Sequence, residues 1–204
     1  MHELFNYIPK SSHSLLSDLI GSEKLIIKIV NSRKTKHGDF RSLVKGKYQI
    51  TVNKTNNKYR FLITLIHELA HFRINKSYGN SVNPHGNEWK KMYKYLMLPF
   101  LNNLIFPDEI LRSLAIHMIN PKASTDSDTN LVISLQKYDQ INDEKMFLFE
   151  IPEGELFYYN KNKLFKKMSK RRKRYICKEL SSGKKYLFSP VARIKLIGNE
   201  NSCS

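Results

Sequence analysis

The sequence predicts an α+β protein in two parts, with helices packed on a small sheet followed by an antiparallel β meander. Three observations predict it. Residues 61–78 form one largely apolar run without Gly or Pro, which suits a buried helix of about five turns. Before residue 120, short β-branched runs precede further stretches of helical apolar spacing. After residue 130, short apolar and aromatic segments are punctuated by turns such as Pro152-Glu153-Gly154 and Ser181-Ser182-Gly183. The polar stretch 121–130 lies between the two textures. It divides the chain into a first part, residues 1–125, and a basic, β-rich second part, residues 126–204.

Taken in order, Leu15, Leu16, Leu19 and Ile20 repeat at helical spacing, with Ser12 or Ser14 as a cap and Gly21 as a stop. Residues 24–31 are a β-branched run and read as a strand. Lys36-His37-Gly38-Asp39 reads as a hairpin turn, with His37 a loop residue. Residues 40–45 and 47–53 supply two more strands, the latter alternating through Tyr48, Ile50 and Val52. Polar residues 53–57 offer N-caps for the long helix, and Tyr78-Gly79-Asn80 ends it. Residues 87–98 read as a helix with Trp89, Met92, Tyr93, Leu96 and Met97 on its buried face. Pro107-Asp108-Glu109 opens another, carrying Ile110, Leu111, Leu114, Ala115 and Met118, with His117 read as a packed or partly exposed histidine ahead of a role supporting or replacing a metal ligand. Asp126 and Asp128 read as capping residues, since no calcium-loop spacing follows them. The strands expected beyond are 131–135, 146–151, 156–159, 163–165, 174–180, 185–188 and 192–197.

Within the long helix lies His67-Glu68-Leu69-Ala70-His71. Positions four apart share a helix face, so both imidazoles can reach one ion while Glu68 stands beside the open coordination position. Zinc fits such a site, with nitrogen ligands at about 2.0–2.1 Å, a third protein ligand and a fourth place for water. The glutamate then takes a proton from that water, and the metal polarises the carbonyl under attack. A metzincin continuation would place Gly at position 74 and His at 77; Ile74 and Ser77 exclude that class. Two candidates for the third ligand follow, His85 and Glu88. A loop of about six residues lets the chain turn back, and imidazole is the commoner partner of a two-histidine zinc site, which favours His85.

Thr64 to Phe72 together with Pro84-His85-Gly86-Asn87-Glu88-Trp89-Lys90 resemble the active-site signature of the SprT-like (Spartan-type) zinc metalloproteases. The resemblance covers about residues 20–100. It implies a zincin-like core in which His67, His71 and His85 bind one Zn2+ ion, Glu68 is catalytic, and a sheet edge bordering the cleft accepts an extended peptide as an added strand. Trp89 falls where such proteins tend to carry a bulky residue, as core packing or as a substrate contact. It further implies substrates that are proteins associated with or crosslinked to DNA. In many such proteases a zinc ribbon follows the core. Here only Cys177 is available in the corresponding stretch, so a ribbon-like sheet without metal is expected, held by Phe157, Tyr159, Phe165, Tyr175, Tyr186 and Phe188.

The formal net charge is +17, from 35 Lys and Arg against 18 Asp and Glu. It is unevenly spread. Residues 156–204 carry 14 basic and 2 acidic side chains, net +12, whereas residues 121–155 carry 3 and 8, net −5. Nine bases fall within the fourteen residues 161–174, namely Lys161, Lys163, Lys166, Lys167, Lys170, Arg171, Arg172, Lys173 and Arg174, with no acid among them. Bases that grip phosphates beside aromatics that stack nucleobases are expected to contact single-stranded or damaged DNA. The cluster expected to do so is Lys166, Lys167, Lys170, Arg171, Arg172, Lys173 and Arg174.

Other classes are constrained as follows. No apolar stretch approaches the length of a membrane span, and no leader segment is evident at Met1–Lys10. Two cysteines, Cys177 and Cys203, make no disulfide framework, so a reduced, cytoplasmic setting is expected. The expected function is therefore a zinc endopeptidase acting on protein substrate near DNA. Two alternatives remain open: a nucleic-acid-binding protein whose zinc is structural, and a general cytoplasmic metallopeptidase with an incidental basic surface.

Overall fold

The computed structural model describes residues 2–33, 35–139, 145–160 and 162–197. The chain is α+β and divides into two compact units, Met1–Gln140 and Ile141–Ser204. The division therefore falls later than the polar stretch at 121–130 that the sequence favoured.

The first unit begins with two short helices, α1 (His2–Phe5) and α2 (His13–Ile20), the second ended by Gly21 at φ 55°. Three strands follow: β1 (Leu25–Val30), β2 (Gly38–Ser42) and β3 (Tyr48–Asn53). Their order in the sheet is β1-β3-β2, with β1 parallel and β2 antiparallel to β3. Residues 36–39 are consequently not a hairpin turn, because β1 and β2 lie on opposite sides of β3. The hairpin is instead β2–β3, closed around Val44–Gly46.

The long helix α3 runs Lys58–Tyr78. Asn57 caps it by accepting the Arg60 N–H at 3.0 Å, and Gly79, at φ 58°, ends it by donating to the Asn75 carbonyl. Helix α4 (Asn87–Met97) packs against α3, and α5 (Asp108–Ile119) follows. The core joins Phe61, Leu65, Leu69 and Phe72 of α3 with Ile50 and Val52 of β3, Trp89 and Tyr93 of α4, and Ile110 and Leu114 of α5. Ala115, expected on the buried face of α5, is exposed; Ser113 and His117 are buried in its place.

Residues 131–135, expected as a strand, are helical in α6 (Thr129–Gln136). Val132 and Ile133 are β-branched, but Asp128 caps the segment through the Leu131 N–H, and Leu131, Val132 and Leu135 then form one buried face at helical spacing. Asn57 Nδ2 donates to the Leu135 carbonyl at 2.7 Å, and Arg60 pairs with Asp139, so α6 is tied to the start of the motif helix. This is why the first unit extends to residue 140.

The second unit is a six-stranded antiparallel sheet in the order β4-β9-β5-β6-β7-β8. Its strands are β4 (Met146–Phe147), β5 (Leu156–Tyr159), β6 (Lys163–Arg171), β7 (Arg174–Glu179), β8 (Lys185–Phe188) and β9 (Arg193–Leu196). Strands β5 to β8 are the expected meander. β9 departs from it, returning to lie between β4 and β5. Residues 146–151 are a strand only at their start, since Leu148–Glu150 turn as a 3-10 helix.

The core of this unit is Leu148, Ile151, Phe157, Phe165, Cys177, Phe188 and Ile194, with Phe157 and Phe165 stacked across paired strands at 5.7 Å. Tyr159 and Tyr186, expected inside, are exposed. Because this core is apolar, removing metal with a chelator is expected to leave amide exchange of residues 146–196 unchanged. Exchange that accelerates there on EDTA treatment would reject a metal-independent sheet.

Candidate metal centre

Helix α3 presents His67 and His71 one turn apart, and the turn at residues 83–86 returns His85 to the same face. The three Nε2 atoms converge, with separations of 3.2 Å (His67–His71), 2.9 Å (His71–His85) and 3.3 Å (His67–His85). A tetrahedral zinc ion with ligands at about 2.0–2.1 Å requires donor atoms about 3.3 Å apart, so the triangle matches one face of that tetrahedron. Among the described residues, these three form the group able to hold a metal. Glu88, the alternative third ligand, is exposed and stands outside the group.

The protonation states agree with that geometry. Burial, then the neighbouring imidazoles His71 and His85, hold His67 well below the usual histidine range. Burial and His85 lower His71 to about 4, and burial lowers His85. All three are thus neutral at pH 7 with lone pairs available, the form a cation binds. Three convergent lone pairs with no cation would be poorly matched hydrogen-bonding groups, and the donor set therefore fits zinc.

His85 sits at φ 62°, a left-handed conformation that non-glycine residues enter at a cost of roughly 1–2 kcal/mol. Beneath the cluster lies Trp89, fully buried, with its ring centroid 4.6 Å from His67, 5.2 Å from His71 and 4.6 Å from His85. It fixes the three rings from below and leaves no open face for a substrate contact. Tyr93 is also buried, 5.4 Å from His67. His117 is buried too, and its Nδ1 lies 3.0 Å from Asp128 Oδ2.

Glu68 follows His67 on α3 but turns toward β2, where the Phe40 backbone N–H donates to its carboxylate. Burial, reinforced by the charge of Asp39, pushes its pKa up to about 8, against the opposing charges of Arg33 and Lys36. The first residue of β2 is glycine for lack of space. A Cβ on Gly38 would stand 2.6 Å from Glu68 Oε1 and 2.8 Å from Thr64 Cγ2. β2 is an edge strand, so an unpaired sheet edge borders the glutamate. The sequence marked Gly38 as a turn residue. Its nearness to Glu68, thirty residues on, has no local signature.

The basic cluster is divided by the structure. Lys166, Lys170, Arg171, Arg172, Lys173 and Arg174 are exposed around the β6–β7 hairpin. Lys167 is not available to a partner. It is 3% exposed, its Nζ donates to the Leu148 and Ile151 carbonyls, and it lies 4.0 Å over the Tyr175 ring. Alternation along β6 points position 167 inward with Phe165. Lys178 and Lys185, outside the expected cluster, continue the outward face, since Lys166 pairs with Lys178 and Lys178 with Lys185. The aromatics expected to stack nucleobases are largely committed elsewhere: Phe157, Phe165 and Phe188 form the core, and Lys167 covers Tyr175.

Cys177 is buried with its thiol pushed up to about 11 by burial, and Cys203 lies outside the described residues. No helix among the described residues is long and apolar enough to cross a membrane. Set against known protein families, curated proteins and solved structures, the chain matches none.

Proposed function

We propose that the chain is a zinc-dependent endopeptidase of the SprT-like kind, with a zincin-like core in its first unit. The observation that carries this reading is the triangle of Nε2 atoms with a buried carboxylate on the next residue of the same helix. His67, His71 and His85 would hold the ion, which when bound supplies Lewis-acid polarisation of a carbonyl and activation of water. Glu68 takes the proton at its carboxylate and returns it to the leaving amine. The Phe40 N–H and the close approach of Gly38 hold that carboxylate in place. Trp89 excludes water from beneath the three rings. The edge of β2 would align an extended peptide by main-chain hydrogen bonds. A purely structural zinc calls for a fourth protein ligand, and among the described residues the group has three members.

The second unit supports a contact with DNA, in a form shifted from the sequence reading. Like charges directly opposite on paired strands are unfavourable by roughly 0.2–1 kcal/mol. The row Lys166, Lys178 and Lys185 nonetheless crosses three adjacent strands. A phosphate backbone is the counter-charge such a row fits. A cleavage assay with casein or histone, with and without single-stranded DNA, tests both parts. Wild type is expected to cleave, and DNA to bind with strong salt dependence. Replacing Lys166, Lys178 and Lys185 by Gln is expected to weaken DNA binding at least about tenfold at low salt and to flatten its salt slope by up to three. Lys167→Gln is expected to destabilise the sheet instead. Unchanged DNA affinity in the triple variant would leave a peptidase with an incidental basic surface.

A further inference from the structure

A cavity of about 230 Å³ opens beside Glu68. α3 contributes Thr64, His67 and Glu68 to its wall, the β1–β2 connection contributes Arg33, Lys36 and His37, and the segment after α5 contributes Ser124 to Asp126. The charges around it are mostly paired. Lys36 Nζ lies 2.7 Å from Asp39, and His37 Nε2 lies 2.7 Å from Asp126, which Arg60 also approaches at 3.6 Å.

Arg33 is different. Its Nε–H donates to the neutral Asn53 Oδ1 at 2.8 Å, and its Nη2 has no hydrogen-bond partner among the described residues. The residue is held firmly. Asn53 is 5% exposed, and its Nδ2 donates to the Arg33 carbonyl at 3.2 Å and the Lys36 carbonyl at 2.7 Å. The Asn53 N–H donates to the His37 carbonyl at 2.8 Å. One buried amide at the end of β3 thus holds the backbone at Arg33, Lys36 and His37, and Arg33 lines the cavity. A guanidinium that lines a cavity with no carboxylate partner among the described residues favours a ligand carboxylate over an amide of the same shape.

We propose that this cavity is a subsite for a substrate side chain flanking the scissile bond, and that Arg33 makes it select Asp or Glu. The proposal rests on the peptidase reading for where the bond lies, because the cavity shares Glu68 and His67 with the metal centre. Asp39 and Asp126 do not defeat the selection, each being already engaged by a base.

Two measurements on the full chain test it. The first is binding of otherwise identical peptides bearing one central Glu, Gln or Lys to the metal-free protein, followed by titration calorimetry. The second is cleavage of the same peptides by the zinc-loaded protein. Glu is expected to exceed Gln by about tenfold in both, with Lys weakest. Arg33→Gln is expected to bring Glu and Gln within twofold of one another, while Lys36→Gln keeps the preference. A readout in the wild type guards against a misfolded variant: the Arg33 side-chain nitrogen resonances are expected to shift on adding the Glu peptide and not the Gln peptide. No discrimination in binding, a preference that survives Arg33→Gln, or unmoved Arg33 resonances would each overturn the subsite. Discrimination in binding with no cleavage of any peptide would overturn the peptidase reading and leave the subsite standing.

Discussion

In the Glu68→Gln protein, cleavage of casein or histone is expected to fall to background while one zinc ion per chain remains bound. Gln keeps the shape of the side chain and can still accept the Phe40 N–H, and the space that lacks a Cβ at Gly38 accommodates it as before. What it loses is the proton acceptor, a contribution of about 10²–10⁴ in rate for general acid–base catalysis. Zinc content is set by the three imidazoles and is measured separately, by metal analysis after dialysis. Retained proteolysis would reject the role of Glu68, and lost zinc would show that the variant had disturbed the ligands instead.

The same variant has a signature that needs no catalysis. In the metal-free protein the Glu68 carboxyl is raised from 4.5 to about 8, mainly by burial. In the unfolded chain the group sheds its proton above its ordinary value, whereas the folded protein keeps it until about pH 8. The favourable contribution is therefore complete below pH 4.5 and is lost as pH rises toward 8. Gln does not titrate. Metal-free Glu68→Gln is expected to gain on metal-free wild type through that window, by on the order of 4 kcal/mol at pH 8, and to keep a constant offset above it. Denaturant midpoints at pH 4, 6, 8 and 9 give the comparison. The buried histidines titrate in both proteins and largely cancel in the difference.

Why part of this architecture could be read from sequence and part could not follows from the range of the forces involved. The motif helix is local: its cap at Asn57, its stop at Gly79 and its apolar run are each written within a few residues of where they act. The return of His85 is nearly local, since a short loop closes over fourteen residues. Pairing in the first sheet is not local. β-branched runs announce strands without saying which neighbours they choose, and β1 takes β3 as a parallel partner past β2. Residues 131–135 were misread because Val132 and Ile133 favour strand, while the opposing signals, the Asp128 cap and the docking of Leu135 near Asn57, include a contact across 78 residues.

The basic cluster was legible only in part for a related reason. Charge density along the chain does not report the alternation that buries Lys167 or the cross-strand register that brings Lys178 and Lys185 beside Lys166. The surroundings of Glu68 were least visible of all. Arg33 and Gly38 precede it by about thirty positions and meet it only through packing of α3 against β2.

His85→Asn is expected to lower zinc affinity by on the order of a hundredfold or more, because a tridentate site becomes bidentate. Asparagine is the appropriate replacement. His85 occupies a left-handed conformation, which Asn adopts more readily than most residues, so the loop at 83–86 is preserved while the imidazole is removed. Competition against a chromophoric chelator measures the affinity directly. Thermal melts provide a second measure: saturating zinc stabilises a protein that binds it only when folded, by about 2.7 kcal/mol at a hundred times the dissociation constant, and most of that stabilisation is expected to vanish in the variant. Without metal the sign reverses. The lowered pKa values of His71 and His85 mean that folded wild type resists protonation, so their contribution is present above pH 6.5 and lost as pH falls toward 4. Deleting His85 removes one such group and its repulsion of a protonated His71, so metal-free His85→Asn is expected to hold its stability further into acid than wild type. A variant that binds zinc as tightly as wild type, or that melts earlier than wild type at pH 5 without metal, would show that the third imidazole is not part of the site.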